Sequence, residues 1–485
     1  MATASVLDLK DGEDVDEYFF KAGYTDGYPV VIPTRSRVTR MLRGTDFEPT
    51  RVLGKCPPSY ADVTTEKLAI AAVMAGCTPE MFRIVLAATQ AMLKPEFNLH
   101  GVHATTMGAT PVVLVNGPCR HQAGVNFQHG ACSSGNRSHC ICRALKLLMQ
   151  NVGRAKLAGT ESTTLGTPMK FGLCFAEWEE RASMWEPLAV ENGGAKRDED
   201  AVTVLACAGG PTQLVDFNAS PSQLIQRLAK LMAGAYSPHF PFINNVFLII
   251  SPEHYDTFMK AGLDSKAKLA KILWRETCKH MLPHLPWTIT QALALKMPNG
   301  PKILFRIAGL IVFLIAGLMR LVGIPFLKIP KFTSPESFQI AVAGAPAGKF
   351  SCFMPGFGIG TRGMASAFMN QPVTARVEPR PASLDVPSPG PSTREDKTVL
   401  NPTSELSATL LSLAKRSGRV EGPVALMDIS KARGSELLDV IEKKLHAQGV
   451  ETRRYMKPTF SRPCPDELCQ KIASECKSAV LGLAD

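Results

Sequence analysis

The last part of the sequence, residues 421–485, alternates short apolar runs with amphipathic stretches, and this pattern is the strongest constraint on what it can fold into. The runs VALMDIS, VETRRYMKPT and SAVLGLAD are typical of strands. The stretch SELLDVIEKKLHAQG predicts a helix that ends at Gly449, and PDELCQKIASECK predicts one that begins after Pro465. This order predicts a doubly wound βαβαβ domain with a parallel sheet.

The carboxyl ends of the three strands define the predicted site of this domain, because doubly wound sheets bind ligands there. Lys431, Lys457 and Asp485 stand at or just after those ends. At one edge of a sheet, the two lysines would stabilise a nearby anion; the alternative is that both are solvated. Neither a loop nor a helix follows the third strand in this sequence. We therefore expect an incomplete domain that continues beyond Asp485.

The C-terminal run ALMDISKARGSELLDVIEKKLHAQG and the residues after it resemble the C-terminal domain of the UGSC-motif (seleno)protein family. DGYPVVIPTRSRVTRML, AAVMAGCTPEMFRIVLAA, NLHGVHATT, SSGNRSHCICRAL and CFAEWEERASMWEPL are similar to larger members of the group, over most of 26–210. In that family, a strand similar to AVLGLAD leads directly into selenocysteine or cysteine followed by Gly-Ser-Cys. Because the selenocysteine codon UGA is otherwise read as a stop, the resemblance implies a selenocysteine beyond Asp485.

The resemblance implies thiol- or selenol-based redox chemistry on a small-molecule substrate, with a thiol or another electron donor as partner. A chalcogenolate of low pKa would attack, and the neighbouring thiol would resolve the intermediate. No further cofactor is implied. Since the motif residues are not in this sequence, the resemblance places none of them, and it leaves open whether this chain is itself an active enzyme.

The preceding sequence indicates a large α/β domain at 26–372, after an N-terminal extension at 1–25. Buried strand patterns alternate there with helices, one ending at Gly76 and another beginning with a capping box at Ser220. Residues 373–420 are rich in proline and serine, which predicts a linker.

The cysteine content, the N-terminal sequence and the net charge bear on the cellular compartment and on nucleic-acid binding. The sequence has 13 cysteines and an acidic N-terminus without a secretory signal, which favours a reducing, cytoplasmic setting. The net charge is +11, but the basic residues are scattered, so nucleic-acid binding is not expected.

A second hypothesis is a non-redox hydrolase or lyase built on His100 and His103. A histidine can serve as an acid or a base near neutral pH, and the His-x-x-His spacing can hold a metal. Cys140 and Cys142 lie downstream, but they point to different faces of a predicted helix. The sequence therefore does not favour a metal site.

Two loops are further candidates. Gly135, Asn136 and Arg137 precede a predicted helix, where backbone N–H groups and the arginine could hold a carboxylate or phosphate; plain capping is the alternative. The run FAEWEE at 175–180 concentrates glutamates after a strand, and we expect a solvated acidic loop rather than a general base.

Residues 302–329 are very apolar, with 13 uncharged residues between Arg306 and Arg320. A bilayer span needs about 20 apolar residues. A buried or lid helix, attachment to a membrane surface and a true span all stay open, and the third hypothesis is a membrane-associated binding protein. Residues 344–350, GAPAGKF, lack the spacing of a phosphate-binding loop, and we expect a glycine turn lining a pocket.

Overall fold

The computed structural model describes residues 4–7, 14–133, 135–217, 220–237, 240–281, 302–321, 330–358, 370–385, 398–404, 422–430, 434–458 and 463–482. The strands β1 to β13 span Val52–Cys56, Ala61–Thr64, Thr110–Asn116, Leu173–Ala176, Ala201–Cys207, Thr212–Val215, Val246–Ile250, Phe338–Val342, Phe350–Pro355, Val373–Arg376, Val424–Asp428, Thr452–Met456 and Ser478–Gly482. The helices α1 to α14 span Val15–Lys21, Arg35–Leu42, Thr65–Ala75, Pro79–Met92, Leu99–Ala104, Cys119–Gln122, Ser138–Asn151, Leu188–Glu191, Pro221–Ala233, Pro252–Lys260, Lys266–Met281, Lys302–Leu321, Gly434–His446 and Asp466–Glu475. Helices and strands of both kinds confirm the α/β class.

Contacts divide the chain into two compact units. The larger unit comprises residues 1–283, 328–362 and 369–405. The smaller unit comprises residues 284–327, 363–368 and 406–485.

The larger unit contains two four-stranded sheets with the same topology. The first has the order β10-β5-β3-β4 and the second the order β6-β9-β7-β8. In each, one central strand runs parallel to one neighbour and antiparallel to the other: β3 pairs parallel with β4 and antiparallel with β5, and β7 pairs parallel with β8 and antiparallel with β9. The outer pairs, β5 with β10 and β9 with β6, are antiparallel. The strand orders therefore describe a duplicated arrangement.

The two halves exchange their last strands. β5 ends at Cys207 in the first sheet, and the chain then forms β6 from Thr212 in the second sheet. Likewise β9 ends at Pro355 in the second sheet, and the chain later forms β10 from Val373 in the first. Each sheet is thus completed by a strand that follows the other half.

The larger unit has four layers, helix–sheet–sheet–helix. Side chains alternate along each strand, so β3 buries Val113 among helices α3, α4 and α7, and Leu114 against the second sheet. The second sheet buries Leu248 against α9, α10 and α11. Between the sheets, the rings of Phe175 and Phe247 stack with centroids 5.7 Å apart.

The end of α3 and the start of α9 lie where the sequence predicted them. α3 ends at Gly76, whose φ of +85° suits glycine because it has no Cβ. The predicted capping box of α9 is present: the Gln223 N–H donates to Ser220 Oγ at 3.4 Å, and the Ser220 N–H donates to Gln223 Oε1 at 3.1 Å. These local patterns were sufficient to predict where α3 ends and where α9 begins.

The predicted linker at 373–420 needs a correction at both described ends. Residues 373–376 form β10, in register with Val204 to Ala201 of β5. Val399 and Leu400 are buried in the core of the larger unit. A four-residue strand is too short to show an alternating apolar pattern. The linker prediction for these residues therefore rested on composition alone. Residues 386–397 and 405–421 lie outside the described part of the chain.

The C-terminal sheet is parallel, as the sequence predicted, and the structure gives its strand order as β12-β11-β13. Val424 and Leu426 of β11 pack against Leu438 of α13, with Val480 of β13 beside them. The central position of β11 puts its carboxyl end between those of the other two strands.

Helix α12 falls in the apolar segment 302–329. Eight of its aliphatic side chains are 46–67% exposed, and this contradicts a buried helix for that face. They are Ile303, Leu304, Ile307, Leu310, Ile311, Leu314, Ile315 and Leu318. Within the described residues, no helix combines the length and the apolarity needed to cross a bilayer.

Candidate functional site

The carboxyl ends of the three C-terminal strands are level with one another. Asp428 of β11 pairs with Met456 of β12 on one side and with Gly482 of β13 on the other. Neighbouring strands lie about 4.8 Å apart. Residues that follow any of the three strands therefore emerge at one edge, within reach of the same ligand.

Backbone and side-chain hydrogen bonds hold this edge together. The Lys457 N–H donates to the Asp428 carbonyl at 2.7 Å, and the Ser430 hydroxyl donates to the Lys457 carbonyl. The Ser430 N–H donates to Asp428 Oδ1 at 2.8 Å, across a left-handed turn with φ of +66° at Ser430. Lys457 is thereby fixed beside the end of the central strand, as the sequence predicted for a residue following β12.

A pair of thiols lies in the same part of the domain. Cys464 follows β12 and contacts Met427 of β11, with 3.8 Å between their sulfur atoms. Cys464 is half-buried, and the exposed thiol of Cys469 in α14 is close enough to affect its pKa. Burial and the contact with Cys469 raise the pKa of Cys464 to about 11, while the Lys457 ammonium acts in the opposite direction.

Sequence reasoning missed this pair. The spacing CPDELC puts one cysteine in the loop after a strand and the other in the first turn of the next helix. Two thiols so placed would have marked the edge of the sheet. Of the other residues predicted for this edge, Lys431 and Asp485 lie outside the described residues, so their placement stays a prediction.

His100 and His103 both lie on α5 but differ in environment. The Nδ1 atom of His100 is 3.1 Å from the Tyr60 hydroxyl, and the two rings are stacked. His103 is buried, and its Nε2 has no hydrogen-bond partner in the described part of the chain. Burial, reinforced by the Lys146 ammonium, lowers the pKa of His103 to about 3. The imidazole is therefore neutral at physiological pH and cannot donate a proton as an acid.

An ion triad lies near His103. Glu161 bonds Lys146 at 2.5 Å and Lys170 at 2.8 Å. Each oxygen of the Glu161 carboxylate is thus paired with one lysine. These three charges neutralise one another in part, so their presence does not by itself indicate a ligand.

Gly135, Asn136 and Arg137 precede α7, as expected. Asn136 Oδ1 accepts the Ser138 N–H at 2.9 Å, and its amide donates to the Ser133 carbonyl at 3.3 Å. Gly135 has a φ of +103°, and Arg137 is exposed at the helix start. The asparagine caps its own loop; anion binding at these three residues stays a prediction.

The expected solvated acidic loop is wrong for Glu177. Its side chain is buried, and Oε1 accepts a hydrogen bond from Lys266 Nζ at 2.7 Å. Oε2 accepts from Asn116 Nδ2 at 2.9 Å and from the Leu188 N–H at 2.8 Å. The partner cation is 89 residues away, so the local sequence could not reveal it. In contrast, Glu180 is 56% exposed, as expected.

Strand order, level carboxyl ends and the thiol pair together define a small parallel α/β domain with a sulfur-containing edge. Comparison with known families agrees with the sequence resemblance: residues 398–485 match the UGSC family model. The match supports membership of the UGSC family for this part of the chain. The match begins before the predicted domain boundary at 421. No curated protein and no solved structure matches the chain.

Proposed function

We propose that this protein is a thiol-based oxidoreductase whose reactive groups lie at the carboxyl edge of the C-terminal sheet. The observation that carries the proposal is the Cys464–Cys469 thiol pair, half-buried to exposed, close enough to Lys457 for its charge to act on Cys464. Reactive cysteines are found in such partly exposed, positively charged surroundings. Membership of the UGSC family supports the same class of chemistry.

The step is a thiol–disulfide exchange. The thiolate of one cysteine attacks a small-molecule disulfide and releases one thiol; the second cysteine then attacks the mixed disulfide and releases the other. Both cysteines lose a proton and together lose two electrons, which reduce the substrate disulfide to two thiols. The Lys457 ammonium opposes the rise in the pKa of Cys464 and so partly restores its thiolate. A cysteine or selenocysteine that follows β13 in the chain would lie at the same carboxyl edge of the sheet.

The alternative of a hydrolase built on the two histidines has less support. With a pKa near 3, His103 is a weak base at neutral pH, and general acid–base catalysis works best with a pKa near the operating pH.

The test uses the reduced full chain and 2-hydroxyethyl disulfide. After remaining thiols are blocked, digestion without reductant and mass spectrometry should reveal a Cys464–Cys469 link. Cys464→Ser and Cys469→Ser should abolish the link. Cys476→Ser is the matched control, because this half-buried cysteine of the same domain contacts the Tyr455 hydroxyl. A chain that forms no link while Cys469 is alkylated at the normal rate contradicts the proposal.

A second candidate function is attachment to an anionic lipid surface through α12. The eight exposed aliphatic side chains recur three, four, seven and eight positions apart and so share one face. The charged residues of the helix are all basic: Lys302, Arg306 and Arg320. An apolar face combined with basic residues is typical of interfacial helices.

A further inference from the structure

A cavity of about 340 Å³ lies in the larger unit, at the carboxyl ends of the parallel strands β7 and β8. Ser251 follows β7, and Gly344 follows β8; both line the cavity. The glycine turn at 344–350 contributes Ala345, Ala347 and Phe350, which confirms that this turn lines a pocket. Carboxyl ends of parallel strands are the usual binding position in α/β sheets, and this volume suits a small molecule.

Two cysteines from different halves of the duplicated arrangement meet at the cavity wall. Cys132 belongs to the loop between α6 and α7, and Cys352 belongs to β9. Both residues line the cavity, and the Cys352 thiol is close enough to raise the pKa of Cys132. Both are partly exposed, and both pack against the apolar layer between the two sheets. The two thiols thus face the same opening instead of being sealed in the core.

The rest of the wall indicates what kind of molecule would fit. Ile249, Phe350 and Pro211 provide an apolar surface. Ser251 is 7% exposed, and its hydroxyl has no hydrogen-bond partner within the described ranges. Because an unpaired buried hydroxyl is unfavourable, a ligand with a polar group would be bound more tightly there. An apolar body with one hydrogen-bonding group matches this lining.

We propose that Cys132 and Cys352 are a second dithiol–disulfide couple, which reacts with small-molecule disulfides entering this cavity. One thiolate attacks the substrate disulfide and displaces a thiol; the other then attacks the mixed disulfide and displaces the second thiol. The products are a Cys132–Cys352 disulfide and two small-molecule thiols, with two electrons and two protons passed from the protein. Forming this disulfide brings the two sulfur atoms to about 2.05 Å.

We expect the Cys132–Cys352 pair to react with disulfides slowly at neutral pH and faster at higher pH. The neighbouring Cys352 thiol and burial raise the pKa of Cys132 well above that of a free thiol. The thiolate is the attacking species, so its population rises with pH up to that pKa. Among the described residues that line the cavity, Cys132 and Cys352 carry the only ionisable side chains.

The experiment again uses the reduced full chain with 2-hydroxyethyl disulfide, from pH 7 to pH 9. Mapping without reductant should show a Cys132–Cys352 link that forms faster at the higher pH and is lost on adding excess 2-mercaptoethanol. Cys132→Ser should leave Cys352 as a mixed disulfide, and Cys352→Ser should leave Cys132 as one. Cys140→Ser, which removes a partly exposed cysteine of α7, should leave the link unchanged.

Failure of this inference is distinguishable from failure of the proposed function. Cys464→Ser should have no effect on the Cys132–Cys352 link, because the two pairs belong to different units. The inference is overturned if neither the link nor a mixed disulfide forms at Cys132 or Cys352 under conditions that modify the exposed Cys469.

Discussion

The Nζ atom of Lys266 lies 2.7 Å from Oε1 of Glu177, and each side chain is 2% exposed. Together with Asn116 and the Leu188 N–H, this pair satisfies both oxygens of a buried carboxylate. A charge pair removed from water depends on both partners, since either one alone would be left without a counter-ion.

Glu177→Gln should lower the free energy of unfolding of the larger unit by about 3–5 kcal/mol, because it leaves the Lys266 ammonium buried without its carboxylate. Denaturant titration followed by tryptophan fluorescence measures the change. Asp62→Asn is the matched control: Lys55 and Asp62 are also 2.7 Å apart, but their side chains are 63% and 53% exposed. That variant should lose less than about 1 kcal/mol. Equal losses in the two variants would contradict the buried-pair interpretation.

Lys457→Met should slow the alkylation of Cys464, because the thiolate loses a nearby positive charge. A shift of up to about one unit in the pKa corresponds to a rate up to about tenfold lower at neutral pH. The rate of iodoacetamide labelling at Cys464, followed by mass spectrometry from pH 7 to pH 10, measures the effect.

Lys457→Arg keeps the charge and should restore most of the labelling rate. If the methionine and arginine variants slow labelling equally, the effect comes from disrupted packing and not from the charge.

Acid should destabilise the larger unit through His103. Its pKa is lowered to about 3 in the folded state by burial, against about 6.5 in the unfolded chain. Between these values the unfolded state binds more protons, so stability is complete above pH 6.5 and falls as the pH drops towards 3. His103→Gln should flatten the loss between pH 6.5 and pH 4.5, measured by thermal unfolding. His129→Gln, at an exposed histidine, should leave the slope unchanged.

Leu310→Glu and Leu314→Glu should each weaken binding to vesicles of phosphatidylserine at least several-fold, because both side chains lie on the exposed face of α12. Co-sedimentation measures the bound fraction, with phosphatidylcholine vesicles as the uncharged comparison. Leu165→Glu alters an exposed leucine of the larger unit and should have no effect. A wild-type chain that binds neither vesicle would rule out lipid attachment by this helix.

The expectation of selenocysteine beyond Asp485 has a direct test. Sequencing the transcript past this codon should show an in-frame UGA followed by codons for Gly-Ser-Cys. An ordinary terminator with no readable codons after it would contradict the expectation.

Local pattern was enough to predict the elements with long apolar runs or clear caps. The strands at 110–116, 201–207 and 246–250 are buried along their whole length, and the sequence showed them as apolar runs. The C-terminal βαβαβ order was also visible, because both helices have distinct boundaries.

Features that depend on distant partners were not predictable. β6 and β10 are four residues each and partly exposed, so neither shows an alternating pattern. Strand order, the partner of Glu177 and the meeting of Cys132 with Cys352 all arise from residues far apart in the chain. A single sequence carries no local mark of such pairings.

The crossed-over strands have a consequence for biosynthesis. The first sheet lacks its outer strand until residue 376 has left the ribosome. Until then, one edge of this sheet has unpaired backbone hydrogen-bonding groups. A split between Val215 and Val246 would leave both sheets without an edge strand, because β6 would stay with the first half and β10 with the second.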